Sequence, residues 1–533
     1  MESYSIVPIL GLKSNVSQND PSLFQAASET IAITHCIDSL NVDYQRVRNA
    51  CSKSAGKVKY NPTAIASPDH CQGLFQTKSG TTITQYFFDN GRFYYLDGSL
   101  AFQQVNTSDS VVFDTSALEL FSMIQYGDYI IFSDLGTHTP YIWKAGEAYL
   151  TKLISSGTEY TFKYLEMFQG RIIGAYSDQT NGDLELRWTS RLPSVASGTA
   201  FTSTNQLYKP DEDSITGIKR MGNNACVVYG NKSISQIGYY PSSSSVFGIT
   251  SIVNSQGAAN NNSIVDVGGR HFLFNKHYGF CEYRGGTEFP YNGRPISEPI
   301  ENRIAGIYDE YFSEISGCFN PLSNEVAWVV PLDGASSPTH ILYYHIIDDK
   351  WRIEDKASRA VDVWSVTNGY TWNDLISDLG GAGALWSALP TGARWSAYTN
   401  VRSKFVCAND NGYAYIITGE NDDGSAINAY RIEPILDFGS SEDKDLLLEI
   451  WFTINYRGNY SITCYHRSGI TPAECENAAW TSLGTVTCYN SSEAVIYTDK
   501  MNRFHQIKWG NANADERISV NKIEFKYIRQ GRY

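Results

Sequence analysis

No Cys-x-x-Cys or Cys-x-x-x-Cys pair occurs in this chain, although it carries ten cysteines. They stand singly at Cys36, Cys51, Cys71, Cys226, Cys281, Cys318, Cys407, Cys464, Cys475 and Cys488. That spacing excludes zinc ribbons and dithiol redox motifs and fits scattered free thiols in a reducing compartment. Only the last three are near enough in sequence to suggest a local disulfide, and spacing alone does not bring their Cα atoms within reach. His35, His70, His138, His271, His277, His340, His345, His466 and His505 are equally isolated, with no HExxH or His-x-His arrangement, and read as structural imidazoles. There is no GxSxG elbow, no P-loop and no GxGxxG after a strand. No catalytic, cofactor-binding or metal-ligating residue is therefore predicted, and no cofactor. Basic runs are missing too: Lys+Arg number 42 against 56 Asp+Glu, a net charge of −14. Such a surface repels a polyanion at long range, the opposite of a sequence-reading DNA-binding protein, though like charge suits a channel that surrounds DNA without sticking to it. The start, Met1-Glu2-Ser3-Tyr4-Ser5-Ile6-Val7-Pro8, lacks the basic and apolar regions of a signal peptide, and no apolar run approaches the roughly 20 residues that span a bilayer. The expectation is synthesis and assembly in the cytoplasm.

What is present is aromatic and turn-rich. Aromatics make up 13% of 533 residues, led by 36 Tyr, beside 43 Gly, a composition of strands and turns. That length exceeds one ordinary core, so several domains or one closed repeat is expected. From about residue 70 hairpins recur. Segment 81–88 runs into Asp89-Asn90-Gly91, a tight-turn signal, and returns as Arg92-Phe93-Tyr94-Tyr95-Leu96. The style repeats at 126–143, 170–188, 225–239, 271–283, 325–345 and 404–417. Antiparallel units every 40 to 60 residues, on the order of six or seven of them, are the signature of a β-propeller, whose radial packing protects sheet edges. The predicted fold class is all-β: a β-propeller over 61–435, preceded by an arm at 1–60. Within the arm 22–29 is a strand or a helix, and 31–37 supplies a strand that closes the last blade. After Asp437-Phe438-Gly439 the pattern changes to longer alternating strands, such as Lys522-Ile523-Glu524-Phe525-Lys526-Tyr527, and 436–533 reads as a β-sandwich-like domain of about 95 residues.

Two segments fit no blade. Residues 254–262, Asn-Ser-Gln-Gly-Ala-Ala-Asn-Asn-Asn, read as a polar loop or surface contact, and 370–398, with Trp372, Trp386 and Trp395 among glycines, as a segment packed over the ring. Propellers also carry glycosidases, so paired carboxylates matter. Asp309-Glu310-Tyr311 and Asp348-Asp349-Lys350-Trp351 suit an acid/base pair beside a sugar platform, and equally suit ordinary turns. The Ser-x-Asp-x-Gly-x-x-Trp box is absent, Ser177-Asp178-Gln179-Thr180-Asn181-Gly182 failing to match it, and the expectation is that the chain is not an enzyme.

The order of these pieces carries a resemblance. Gly91-Arg92-Phe93-Tyr94-Tyr95-Leu96-Asp97-Gly98 with Gln103-Gln104-Val105, Trp372-Asn373-Asp374-Leu375, Asn411-Gly412-Tyr413-Ala414-Tyr415-Ile416-Ile417 with Asp423-Gly424-Ser425-Ala426-Ile427, Asp437-Phe438-Gly439 and Ala479-Trp480-Thr481-Ser482-Leu483-Gly484 are similar to the nozzle or hub proteins of short-tailed bacteriophages. These include the DNA-stabilisation tail proteins that cap the portal. The likeness runs from about residue 70 onward. It implies a homo-oligomeric ring, commonly a hexamer, below portal and adaptor proteins in the virion tail. Such a ring carries fibres or spikes, retains the genome, and lets DNA pass its lumen without sequence-specific binding. The alternative is a carbohydrate-recognising propeller, a receptor binder or glycosidase-like protein, which a cluster of buried carboxylates in a central pocket would favour.

Overall fold

The computed structural model describes residues 1–28, 30–47, 49–80, 82–153, 159–191, 201, 204–223, 225–241, 245–367, 401–438, 442–454, 459–489 and 491–531. The segment holding Trp372, Trp386 and Trp395 lies outside them.

Hairpin chemistry sets the local order. Asp89 pairs with Arg92, leaving Asn90 (φ 50°) and Gly91 (φ 65°) as a two-residue connection in the left-handed region, which these two residue types enter at least cost. A Cβ on Gly91 would also lie 2.4 Å from the Phe113 carbonyl oxygen. Repeated turns of this kind stack consecutive strands into small antiparallel sheets. Among the described residues seven follow in chain order, beginning with the strands Cys71–Ser79, Ser122–Tyr126, Phe162–Phe168, Ile215–Met221, Val265–Asp266, Ser316–Asn320 and Ala360–Thr367.

Alternation along each strand buries both faces, one against each neighbour. Val326, Trp328 and Val330 pack on Phe272, Phe274 and Phe280 of the fifth sheet, while Ala327 and Val329 pack with Phe405, Cys407 and Tyr415 of the seventh. The same holds around the series: Phe88, Phe93, Phe132 and Trp143 join the first sheet to the second, and Trp364, Val406 and Ala414 of the seventh meet Leu74, Phe87 and Tyr94 of the first. The sheets thus form a closed, propeller-like ring. The seventh sheet takes its fourth strand from the other end of the chain: Lys57–Lys59 pairs with Ala414–Ile417.

The expected closing segment, 31–37, is elsewhere. Ile31–Thr34 lies between Glu2–Val7 and Phe24–Ser28, so of the segment 22–29 residues 24–28 are strand, preceded by a single 3-10 turn at Pro21–Leu23. Far from being an irregular arm, these strands belong to a sheet whose order continues through Ser519–Arg529, Asp445–Ile454 and Glu493–Asn502, with Cys51–Lys53 and Val42–Asp43 attached. A five-stranded sheet of Thr481–Tyr489, Asn459–Gly469, Phe504–Asn511, Ala429–Ile432 and Asp38–Leu40 faces it. The two share a core of Ile6, Ile450, Phe452, Ile523 and Phe525 against Tyr460, Ile462, Ile507 and Trp509. Both chain ends therefore build one unit.

A buried polar knot ties those ends together. Arg431, fully buried, donates to Glu433 (2.7 Å), the Leu10 carbonyl (2.9 Å), the Tyr44 hydroxyl (2.7 Å) and the Thr34 carbonyl (2.8 Å). Glu433 also accepts from Thr34 Oγ1 (3.0 Å) and Trp509 Nε1 (2.9 Å), so the ion pair is hydrogen-bonded all round, the condition for a buried pair to be tolerated. The unit docks on the sixth sheet through Leu12 N to Trp351 O (3.0 Å) and Asn41 N to Ile353 O (2.9 Å). Among the described residues no helix is long and apolar enough to cross a membrane.

Candidate functional site

The leading strands of all seven sheets turn toward one axis, and the space they leave there is a cavity of about 410 Å³. An inner strand cannot bury both faces on neighbouring sheets and also fill the axis, so its polar residues collect there. Glu166 comes from the third sheet, Lys219 and Arg220 from the fourth, Asp266 from the fifth and Asp362 from the seventh. Half-buried Phe75 adds aromatic wall, and Gln125, Asn261 and Asn262 add amides.

The loop 254–262 shapes one side of this cavity. Asn262 Nδ2 donates to the Leu120 carbonyl (3.0 Å) at the second sheet, its own carbonyl accepts from Gly317 N (2.9 Å) of the sixth, and Asn261 Oδ1 accepts from Ile218 N (3.1 Å) of the fourth. Asn260 is buried and donates to the carbonyls of Phe312 (2.5 Å) and Ile315 (2.8 Å). The asparagines are not a surface contact; they bind sheets across the axis, with amides supplying the hydrogen bonds that irregular buried backbone needs.

Asp362 lines the cavity from the first strand of the seventh sheet. It accepts from Val363 N (2.7 Å) and Trp364 Nε1 (3.0 Å), both neutral donors, and burial pushes its pKa up to about 6. A carboxyl titrating there is part protonated near neutrality and is able both to give and to take a proton. Glu166 Oε1 accepts from Met167 N (2.8 Å), and Asp266 Oδ1 from Gly269 N (3.2 Å). Behind Asp266, buried His271 receives the Tyr229 hydroxyl at Nδ1 (2.6 Å) and donates from Nε2 to the Arg220 carbonyl (3.0 Å). Burial lowers its pKa to about 4, so it is a neutral brace that fixes the backbone of Arg220. Among the described residues no group of three or more His, Cys, Asp or Glu is placed to hold a metal ion.

The carboxylates singled out from the sequence lie elsewhere. Asp309 and Glu310, both exposed, open the 3-10 helix Asp309–Glu314. Asp348 and Asp349 form the turn between His340–His345 and Lys350–Glu354, where Asp349 has φ 53°, Asp348 accepts from Lys350 Nζ (3.2 Å), and Trp351 is buried with its Nε1 on the Ile296 carbonyl. Neither pair lines the cavity. Glu166, Asp266 and Asp362 were missed. A signal was present: Val265-Asp266-Val267 and Val361-Asp362-Val363 repeat one charge between β-branched residues on two inner strands. All ten cysteines are free, Cys464, Cys475 and Cys488 included.

No family model matches the chain, and neither does any curated protein. Among solved structures it is similar to an exo-β-1,3-galactanase from Phanerochaete chrysosporium with galactose, at 9% identity and a TM-score of 0.26 over 89% of this chain and 100% of that one. It is also similar to the extracellular domain of a putative hybrid two-component system from B. thetaiotaomicron, at 10% identity and a TM-score of 0.38 over 71% of this chain and 46% of that one. Likenesses this distant carry over neither activity nor ligand. The expectation that the chain is not an enzyme is withdrawn: it rested on absent motifs, and carboxyl groups from three inner strands line the axial cavity.

Proposed function

We propose that the chain is a carbohydrate-recognising β-propeller of seven blades, closed by Lys57–Lys59 and joined to a β-sandwich-like unit, with a saccharide bound in the axial cavity. The observation that carries this reading is that carboxyl groups from three blades, Glu166, Asp266 and Asp362, line one cavity beside Lys219 and Arg220. Side chains of this kind hydrogen-bond sugar hydroxyls in pairs, and half-buried Phe75 offers apolar wall to a pyranose face. Asp362 is the group suited to proton transfer at a glycosidic oxygen. The test is a panel of neutral oligosaccharides, β-galactans among them, read for binding by calorimetry and for cleavage by release of reducing ends. Binding that Asp362→Asn and Glu166→Gln each weaken supports the proposal. Cleavage, if found, falls as pH rises above about 6 when Asp362 is the acid. A panel with no binding, or binding indifferent to both substitutions, overturns it.

One observation favours a second reading, a ring-forming tail component assembled in a host cytoplasm beneath portal and adaptor. Among the described residues Phe24–Ser28 and Glu493–Asn502 each pair on one side only and terminate opposite ends of the same sheet. Open edges at both ends suit head-to-tail copies, which close into a ring. Its outer face adds Met501 and Ile528 on either side of Leu446. Mass photometry of the purified chain separates the readings: a closed oligomer supports the second, and a monomer with or without portal and adaptor removes it.

A further inference from the structure

The outward face of the five-stranded sheet in the joint unit carries a second trough, of about 380 Å³, remote from the axial cavity in sequence and built by different strands. Strand alternation makes it. On Phe504–Asn511 the residues Ile507 and Trp509 point into the core, so Lys508 and Gly510 point out; on Asn459–Gly469 the core takes Ile462 and Cys464, so Thr463 and Tyr465 point out. Register places Gly510 between Tyr430 and Thr463, and Lys508 between Ile432 and Tyr465. At Gly510 a Cβ would lie 2.1 Å from the Ala429 carbonyl oxygen, so only glycine fits, and the missing side chain leaves the trough floor open beside Tyr430. Trp480 completes the wall.

Charge singles this trough out. The chain is acidic overall, at −14, yet among the described residues neither cation here has a carboxylate oxygen within ion-pair distance. Lys508 Nζ lies 4.1 Å above the Tyr430 ring, and the Arg467 guanidinium 4.5 Å from the Trp480 ring. Arg467 donates only to neutral acceptors: Gln506 Oε1 (2.6 Å), Gln18 Oε1 (2.9 Å) and the Glu476 carbonyl. The Tyr430 hydroxyl donates to Asp38 Oδ2 (3.0 Å), which holds its ring in place. Half-buried Tyr430, Tyr465 and Trp480 thus frame an ammonium group that forms no ion pair among the described residues.

We propose that this trough binds an acidic saccharide, a pyranose bearing a carboxylate, with the apolar face of the ring against the aromatic side chains and the carboxylate on Lys508. A neutral sugar would leave Lys508 unanswered, and a bare inorganic anion would leave the aromatic walls bare. This site stands on observations independent of the axial cavity.

The experiment is calorimetric titration of the full chain with a galacturonate oligomer and with a neutral galactan oligomer of equal length, repeated on Lys508→Met, Trp480→Ala and Asp362→Asn, each checked for an unchanged fold by circular dichroism. The expected result is binding of the acidic oligomer that weakens about tenfold in Lys508→Met, in keeping with loss of one charge-assisted contact, and weakens again with added salt. Trp480→Ala weakens it as well, and Asp362→Asn leaves it unchanged. Equal binding of the two oligomers, insensitivity to Lys508→Met, or no binding of the acidic oligomer to a folded chain overturns the proposal. Loss in Asp362→Asn alone would locate the sugar at the axis and overturn it too. Galacturonate binding lost in Lys508→Met while the neutral panel still responds to Asp362→Asn supports both sites separately.

Discussion

The ring of small sheets and the joint terminal unit are both antiparallel β-structure with dry cores, yet they are assembled on opposite principles. In the ring each sheet is made almost wholly of strands consecutive in the chain, and the apolar contacts bridge one sheet to the next. In the joint unit, strands between residues 2 and 53 pair with strands between 429 and 529, and Arg431 reaches 421 positions back to the Leu10 carbonyl. Local pairing loses little chain entropy before contacts form, whereas the terminal unit has to close a loop of most of the chain first. The difference teaches that one is ordered by turn chemistry and the other by buried partners far apart in sequence.

Removing residues 1–53 breaks the comparison most severely. It takes the strands Glu2–Val7, Ile31–Thr34 and Asp38–Leu40 from two sheets, and the joint unit is expected to lose cooperative folding, seen as lost amide protection in 429–529, while the turns of the ring keep theirs. Arg431→Ala acts on the same seam through one side chain. It strands Glu433, buried at 0% exposure, and is expected to cost about 3–5 kcal/mol in denaturant unfolding, with Glu433→Gln in the same chain recovering part of the loss.

A titration sharpens the contrast further. His466 Nε2 and His505 Nδ1 lie 3.0 Å apart in the joint core, and burial lowers their pKa values to about 3 and about 4. Unfolded histidines take up protons near pH 6.5 and the folded pair does not, so this contribution is complete above that pH and is lost as pH falls from about 6.5 toward 4. Asp362 in the ring tilts the other way: its raised pKa makes its contribution complete below about pH 4 and lost as pH rises through about 6. His466→Gln is expected to flatten the first slope and Asp362→Asn the second, both read from denaturation midpoints between pH 4 and 7. The smallest effect is local. Gly91→Ala puts a side chain at φ 65° against the Phe113 carbonyl, and a loss of about 1–2 kcal/mol in thermal unfolding is expected, confined to the first two sheets by hydrogen exchange.

Legibility followed the same division. Asp89-Asn90-Gly91 announces its hairpin because the φ angles of the turn are a property of those residues themselves. The strand at Ile31–Thr34 is visible in its β-branched residues, but its partner is not, since nothing in Ile-Ala-Ile-Thr distinguishes Glu2–Val7 from Ala414–Ile417. The carboxylates chosen from the sequence, Asp309 and Asp348, stood beside aromatics, one opening a 3-10 helix and the other in a hairpin turn, where acidic residues are common for reasons of local backbone geometry. Glu166, Asp266 and Asp362 sit where a charge is unusual, inside inner strands, and their convergence depends on how sheets separated by up to about 200 residues come round an axis.

By itself, then, the sequence determined the class of structure: turn residues and period-two alternation set by backbone sterics make short antiparallel strands whatever their neighbours are. Tertiary structure alone decided which strand closes the ring, that the two chain ends form one unit, and which charges face the axis. Those outcomes depend on the pairing of surfaces distant in sequence, where many partners are chemically alike and only mutual burial and complete hydrogen bonding, as at Arg431 and Glu433, selects one.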